Sequence, residues 1–372
     1  MTNAARRKSL AGLVLAVVLT ACDGAAVTHE RAFAYVANQD SGDVSAYAVD
    51  SVTGALSAVP GSPFAAGSGP ASVGVDPAGK FTYVANQYSH DLSAFAIDRN
   101  TGALSVVSGS PFPAGTNPAA VSIDPAGRFL YVANASSNDV SAYAINSLTG
   151  ALNAVPGSPF AAGTNPVAIL VAPAGQFVYV ANFMSASISV FAIDQTTGAL
   201  HPVSGSPFAS GAMPGSIAID PMGRNAYVVN RASPEALSGN VSAFRIDQFT
   251  GALSENGPPV PAGTYPNSVS VEPSGRNVYV ADTVSNQIRA YVIEQPAGTL
   301  SAAPGSPFAA GKRPIGLGID PSGRYLYAGS HGADNVWAYA LDRSTGALAV
   351  LPGPPVTAGA APRSIAVTGA SD

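Results

Sequence analysis

A four-residue phrase, Tyr-Val-Ala-Asn, returns along the chain and sets its plan. It stands at Tyr35, Tyr83, Tyr131 and Tyr179, and altered forms follow at Tyr227, Tyr279 and Tyr327. Successive tyrosines are 48 residues apart, except for one interval of 52 between Tyr227 and Tyr279. A period near 50 belongs to propellers, solenoids and arrays, and it fixes architecture before any local motif does. The unit over residues 70–117 contains four short strand patterns. Pro70–Val75 is the first, Phe81–Asn86 the second, Leu92–Ile97 the third and Ala103–Val107 the fourth, each rich in β-branched or aromatic residues. Asp76-Pro77-Ala78-Gly79-Lys80 and Asp98-Arg99-Asn100-Thr101-Gly102 carry turn chemistry: Pro presets φ, Asp caps, and Gly accepts positive φ. No stretch of the unit sustains a 3.6-residue apolar period, which excludes helical solenoids. The expectation is an all-β protein: a seven-bladed β-propeller of four-stranded antiparallel blades.

The start and end of the repeat predict how such a ring would close. Arg31-Ala32-Phe33-Ala34-Tyr35-Val36 matches a second strand, and Pro362-Arg363-Ser364-Ile365-Ala366-Val367 matches a first. The C-terminal strand is therefore expected to join the N-terminal blade and pair two edges that would otherwise stand open. The recurring Tyr and Phe residues read as core between blades.

Composition agrees with a large, turn-rich β protein. Hydrophobic residues make up 47% of the chain, charged residues only 10%, and the net charge is −5. No basic run follows residue 8, so nucleic acid is not an expected partner. Residues 1–21 read as a bacterial lipoprotein signal: basic Arg6-Arg7-Lys8, a short apolar Leu10–Leu19, then Leu19-Thr20-Ala21-Cys22. Cys22, the chain's single cysteine, is the expected lipidation site. Residues 22–30 form a tether of at most about 28 Å, and 31–372 the propeller. The expected location is the bacterial cell envelope, periplasmic or surface, with the membrane reached through the lipid.

Tyr-Val-Ala-Asn followed by Asp-x-x-Thr-Gly-Ala-Leu and Gly-Ser-Pro-Phe resembles the YVTN-repeat and lactonase-like seven-bladed propeller families. Asp124-Pro125-Ala126-Gly127-Arg128 and Asp320-Pro321-Ser322-Gly323-Arg324 carry the same resemblance, which spans roughly residues 31–368. It implies the fold. One branch of the family comprises 6-phosphogluconolactonases, so it also implies hydrolysis of a sugar lactone as one activity.

Residues that depart from the repeat are the candidates for chemistry. In related propellers the small-molecule mouth lies at the end carrying the inter-blade links and the loops between second and third strands. Lys312-Arg313 and Arg363 break the pattern on neighbouring links, and together they would suit a phosphate or carboxylate. Arg231 and Glu235 lie in the one clear insertion, residues 231–240. His90 and His331 sit in second-to-third-strand loops as acid–base candidates, against the ordinary reading of surface histidines. Tyr88, Phe183 and Tyr265 are the few loop aromatics. The many Asp and Arg residues of the Asp-Pro turns are structural caps. No nucleophile elbow, metal-ligand spacing or nucleotide-binding fingerprint appears, so neither a metal nor a cofactor is expected. These residues predict a binding or scaffolding module for a protein or a small anionic ligand at the channel mouth. A lactone hydrolase of the 6-phosphogluconolactonase type and a purely structural envelope protein are the alternatives.

Overall fold

Each repeat unit folds as one antiparallel sheet, and the described residues form seven such sheets. The computed structural model describes residues 32–231 and 238–369, and every regular element among them is a strand. The third sheet is representative. Its inner strand Pro118–Ile123 pairs with Phe129–Asn134, which pairs with Asp139–Ile145. The outer edge is split: Leu152–Ala154 covers the turn half of Asp139–Ile145, and Phe160–Ala161 covers the mouth half.

That split refines the expected four-strand blade. Gly-Ser-Pro-Phe lies outside the four strand patterns, yet its phenylalanine and the residue after it form a fifth, two-residue strand in every sheet that carries it. Between the two outer pieces, the serine takes over the ladder. Ser110 Oγ accepts the Ala94 N–H at 2.9 Å, and Ser62, Ser158, Ser206 and Ser306 do the same for Ala46, Ala142, Val190 and Ala290. Short interrupted edges offer no long template for pairing with another chain.

The ring closes as the terminal sequences predict. Pro362–Val367 pairs with Ala32–Asn38, setting Val36 opposite Ile365 and Tyr35 opposite Ala366. Thr368 extends the clasp: its Oγ1 accepts the Phe33 N–H at 2.7 Å, and its own N–H donates to the Phe33 carbonyl at 2.8 Å.

Two repeated contacts hold blade to blade. The tyrosine of each Tyr-Val-Ala-Asn phrase is fully buried, and its hydroxyl donates to the carbonyl of the Thr-Gly turn in the next blade. Tyr35 reaches Gly102, Tyr131 reaches Gly198, and Tyr327 crosses the closure to Gly54 at 2.9 Å. Only glycine fits that turn. Gly102 has φ +77°, and a Cβ there would lie 2.3 Å from the Phe33 ring. Burying each large aromatic contributes about 1.5–3 kcal/mol, and each buried hydroxyl bond about 1 kcal/mol more.

The asparagine ending the phrase ties each of the first five blades together at its mouth end. Asn86 Nδ2 donates to Asp91 Oδ1 at 2.6 Å and to Ser93 Oγ at 2.9 Å. The sixth sheet keeps the geometry with different chemistry: Asp282, fully buried, pairs with Arg289 at 3.1 Å.

Candidate functional site

The residue following that buried asparagine leaves the second strand at the mouth. Going round the ring, this column reads Gln39, Gln87, Ala135, Phe183, Arg231, Thr283 and His331. The residue after the inner-strand proline forms a second column: Arg363, Ala71, Ala119, Val167, Gly215, Asn267 and Ile315. Link and loop are locked side by side, since Gln87 N–H donates to Gly69 O at 2.8 Å and Arg231 N–H to Met213 O at 3.0 Å. The backbone repeats here but the side chains do not.

Two guanidinium groups from opposite parts of the ring converge on the mouth. Arg363 donates through Nη1 to Gln87 Oε1 at 2.9 Å. Gln39 Nε2 donates to the same oxygen at 2.9 Å and to the Tyr88 hydroxyl at 3.1 Å. Arg231 lies between two rings, with its Cζ 5.4 Å from the centre of Phe183 and 5.3 Å from that of Tyr265. Its Nη2 donates to Asn267 Oδ1. Arg231 Nε is buried and has no hydrogen-bond partner. Glycine at 215 makes room for this side chain: a Cβ there would lie 2.5 Å from Arg231 Nε.

Arg231 and Arg363 are both half-buried. Burial pulls both below the usual arginine value, and Arg231 acts on Arg363 in the same direction. Tyr265 works against the shift at Arg231, as do Tyr88 and Tyr265 at Arg363. Arg231 is near enough to act on the charge of Arg363, and an anion or an oxyanion held by two such partly desolvated cations would be stabilised.

His331 lies on the same rim. Partial burial lowers its pKa below the ordinary imidazole value, and Arg313 and Arg363 push it the same way against Asp40 and Asp334. The imidazole is therefore neutral at pH 7 and retains an acceptor nitrogen.

The structure brings Arg363, Arg231 and His331 to one mouth, with Arg313 within electrostatic reach of His331. Lys312 and Arg313 are exposed at the rim rather than deep in the funnel. Arg313 takes a left-handed conformation, φ 53°, and its N–H is held by Asn286 Oδ1 at 2.7 Å. His90 is placed apart, exposed, with its Nδ1 accepting the Asn117 N–H at 3.1 Å. Asn138 and Asn286 fill the same capping role in other blades. Glu235 and Cys22 lie outside the described residues. Sequence reasoning did not single out Gln39, Gln87, Asn267 or Gly215. Aligning the seven units on their asparagines and reading the next column would have found the first two.

A seven-bladed ring with a basic, aromatic-lined mouth defines the class, and sequence comparison gives the family. The family model for the lactonase, 7-bladed β-propeller, matches residues 56–159, 153–265 and 261–361. The chain belongs to that family. No curated protein matches it. Among solved structures, a candidate 6-phosphogluconolactonase from Bacteroides uniformis is 21% identical with a TM-score of 0.79, over 91% of this chain and 99% of that one. A second, from Bacteroides fragilis, is 21% identical with a TM-score of 0.78, over 92% and 99%. The periplasmic gluconolactonase of Pseudomonas aeruginosa is 18% identical with a TM-score of 0.75, over 92% and 100%. At these identities the likeness establishes the shared fold.

Proposed function

We propose that this chain is an exported lactone hydrolase whose reaction takes place at the channel mouth. The observation that carries the reading is the pair Arg231 and Arg363: two guanidiniums from opposite blades, each partly desolvated and the first acting on the second, in a chain of the lactonase family. The leader expected at residues 1–21 favours a neutral sugar lactone over a phosphorylated one, because phosphorylated sugars are intracellular metabolites. The periplasmic assignment of the Pseudomonas relative supports the same choice.

In this reading the lactone carbonyl oxygen points at the guanidiniums. Neutral His331 removes a proton from a water molecule as the water oxygen bonds to the carbonyl carbon. The negative charge that collects on the carbonyl oxygen is held by Arg363 and Arg231. When the intermediate collapses, the ring C–O bond breaks and the leaving alkoxide takes the proton back from the imidazolium. One lactone and one water become one hydroxy acid.

The test is opening of glucono-1,5-lactone followed by proton release, with the uncatalysed rate subtracted. Arg363→Gln should lower kcat about 100-fold. The rate should fall on acidification, with the acid limb lying below the ordinary imidazole value, since burial and the neighbouring guanidiniums lower the His331 pKa. His331→Gln should lower the rate and abolish this acid limb. A wild-type rate equal to buffer would overturn the assignment. A second reading, capture of a small carboxylate without turnover, is favoured by the presence of two partly desolvated guanidiniums at the mouth. Tight, salt-sensitive gluconate binding with no hydrolysis would select it.

A further inference from the structure

Five of the seven blades finish their outer edge with the serine and phenylalanine of Gly-Ser-Pro-Phe, and the seventh has neither. The serine is a bridge. Its Oγ accepts a third-strand N–H, from Ala46 to Ser62 or from Ala94 to Ser110 at 2.9 Å. Its own N–H donates to the carbonyl just after the fourth strand: Ser62 to Val59 at 3.0 Å, Ser110 to Val107 at 3.0 Å, Ser306 to Ala303 at 3.1 Å. The phenylalanine ring folds back over the glycine of the same phrase. A Cβ added to Gly61, Gly109, Gly157, Gly205 or Gly305 would lie 3.4 Å from the ring of Phe64, Phe112, Phe160, Phe208 or Phe308.

The seventh blade reads Gly353-Pro354-Pro355-Val356 at this place. Its register is unchanged, with Val356 opposite Val336 as Phe64 is opposite Val44. The backbone is kept while the groups it carried are lost. Pro354 has neither a hydroxyl nor an N–H, so Ala338 N–H and the Leu351 carbonyl lose the bridge between them. Val356 stops short of the glycine: a Cβ on Gly353 would meet nothing within 4 Å. The fifth blade carries a similar Pro258-Pro259-Val260, yet its space is filled from the next blade. Thr299 Cγ2 there lies 3.2 Å from a Cβ on Gly257.

A cavity of about 300 Å³ results, on the outer edge of the ring where the last blade meets the first. Val336, Ala338, Leu351, Pro354 and Val356 line it from the seventh blade, and Leu56 from the first. An apolar cavity of roughly 150 Å³ already takes up benzene. We propose that this cavity binds a small aromatic alcohol, with its ring over Gly353 and its hydroxyl between the Ala338 N–H and the Leu351 carbonyl. The ring supplies what phenylalanine supplies in five blades. The hydroxyl does what the serine does, accepting one hydrogen bond and donating one. A purely apolar ring would displace water from both backbone groups and replace none of its bonds, which selects against it. Because the walls come from both blades at the closure, an occupant would stabilise the closed ring.

The experiment is titration of the intact protein with benzyl alcohol, followed through the methyl resonances of Leu56, Val336 and Val356. These should shift together and saturate. Ethylbenzene, in which a methyl replaces the hydroxyl, should bind about tenfold more weakly. Val356→Phe restores the ring that five blades carry, so it should keep the fold and abolish the shifts. Pro354→Ser restores the bridge and should remove the preference for the alcohol. Shifts that survive Val356→Phe, a preference that survives Pro354→Ser, equal binding of ethylbenzene by the unaltered protein, or no saturable shift would each overturn the proposal. Much tighter binding of N-acetyltyrosinamide than of benzyl alcohol would mark a peptide groove and overturn it too. None of these readouts depends on lactone opening, so the two assignments stand or fall separately.

Discussion

The two ends of the ring obey the same backbone and opposite rules of side-chain choice. At the turn end, Tyr-to-Gly contacts repeat from blade to blade and round the closure. At the mouth, the column after the buried asparagine changes in almost every blade. The first end is held by uniform burial and hydrogen bonding. The second spends stability, because Arg231 and Arg363 are like charges within electrostatic reach, with part of their hydration lost. Repetition is thus a mark of structure here, and its interruption a mark of use. The sixth blade supplies the control: Asp282 and Arg289 also break the repeat, yet they pair with each other at 3.1 Å and so restore the internal tie.

Perturbing each end should separate these roles. The largest effect belongs to the clasp: removing residues 362–372 opens the ring and should cost more than about 5 kcal/mol, comparable with the whole stability of a domain. Calorimetry would register it as loss of the single cooperative transition, and an unchanged Tm would refute the closure. Gly150→Ala attacks the blade-to-blade belt. Its φ is +74°, and the added Cβ would meet the Phe81 ring at 2.4 Å, for a cost of about 2–3 kcal/mol in chemical denaturation. The smallest effect on stability belongs to the mouth. Arg363→Gln should leave Tm unchanged or slightly raised, because it removes one of two like charges, while lowering turnover at the mouth about 100-fold. A large loss of Tm with that variant would mean that the arginine is structural and the contrast between the ends is false.

The fold was legible because its rules are local and repeated. Gly in Thr-Gly-Ala-Leu, Pro in the Asp-Pro turns and the alternating strand residues each act within a few positions, and seven copies cancel the noise. The closure could be read from Phe33 and Ile365 because a second-strand phrase without a first must find one elsewhere. The mouth was legible only in part. Arg363 stood out as a charge at a position otherwise occupied by uncharged residues, and Arg231 through the neighbouring insertion. Their convergence depends on ring geometry, which joins residues of distant blades with no pattern between them. Gln39 and Gln87 resemble ordinary loop residues until Arg363 is found hydrogen-bonded to Gln87. His90 and His331 were equivalent as letters. One caps a link and the other faces cations, a difference that arises from the position of each within its own loop.

The first blade is made from both ends of the chain, and the Phe33–Thr368 contact spans a separation of 335 residues. Blades two to seven can assemble from neighbouring segments as they emerge from synthesis or export, but the first must wait for the last few residues. An interrupted or C-terminally clipped chain would hold six finished blades and one exposed edge, a species suited to recognition by proteases and prone to stick to its own kind. Completion of this molecule is therefore a single late event, and intact ends are what certify it.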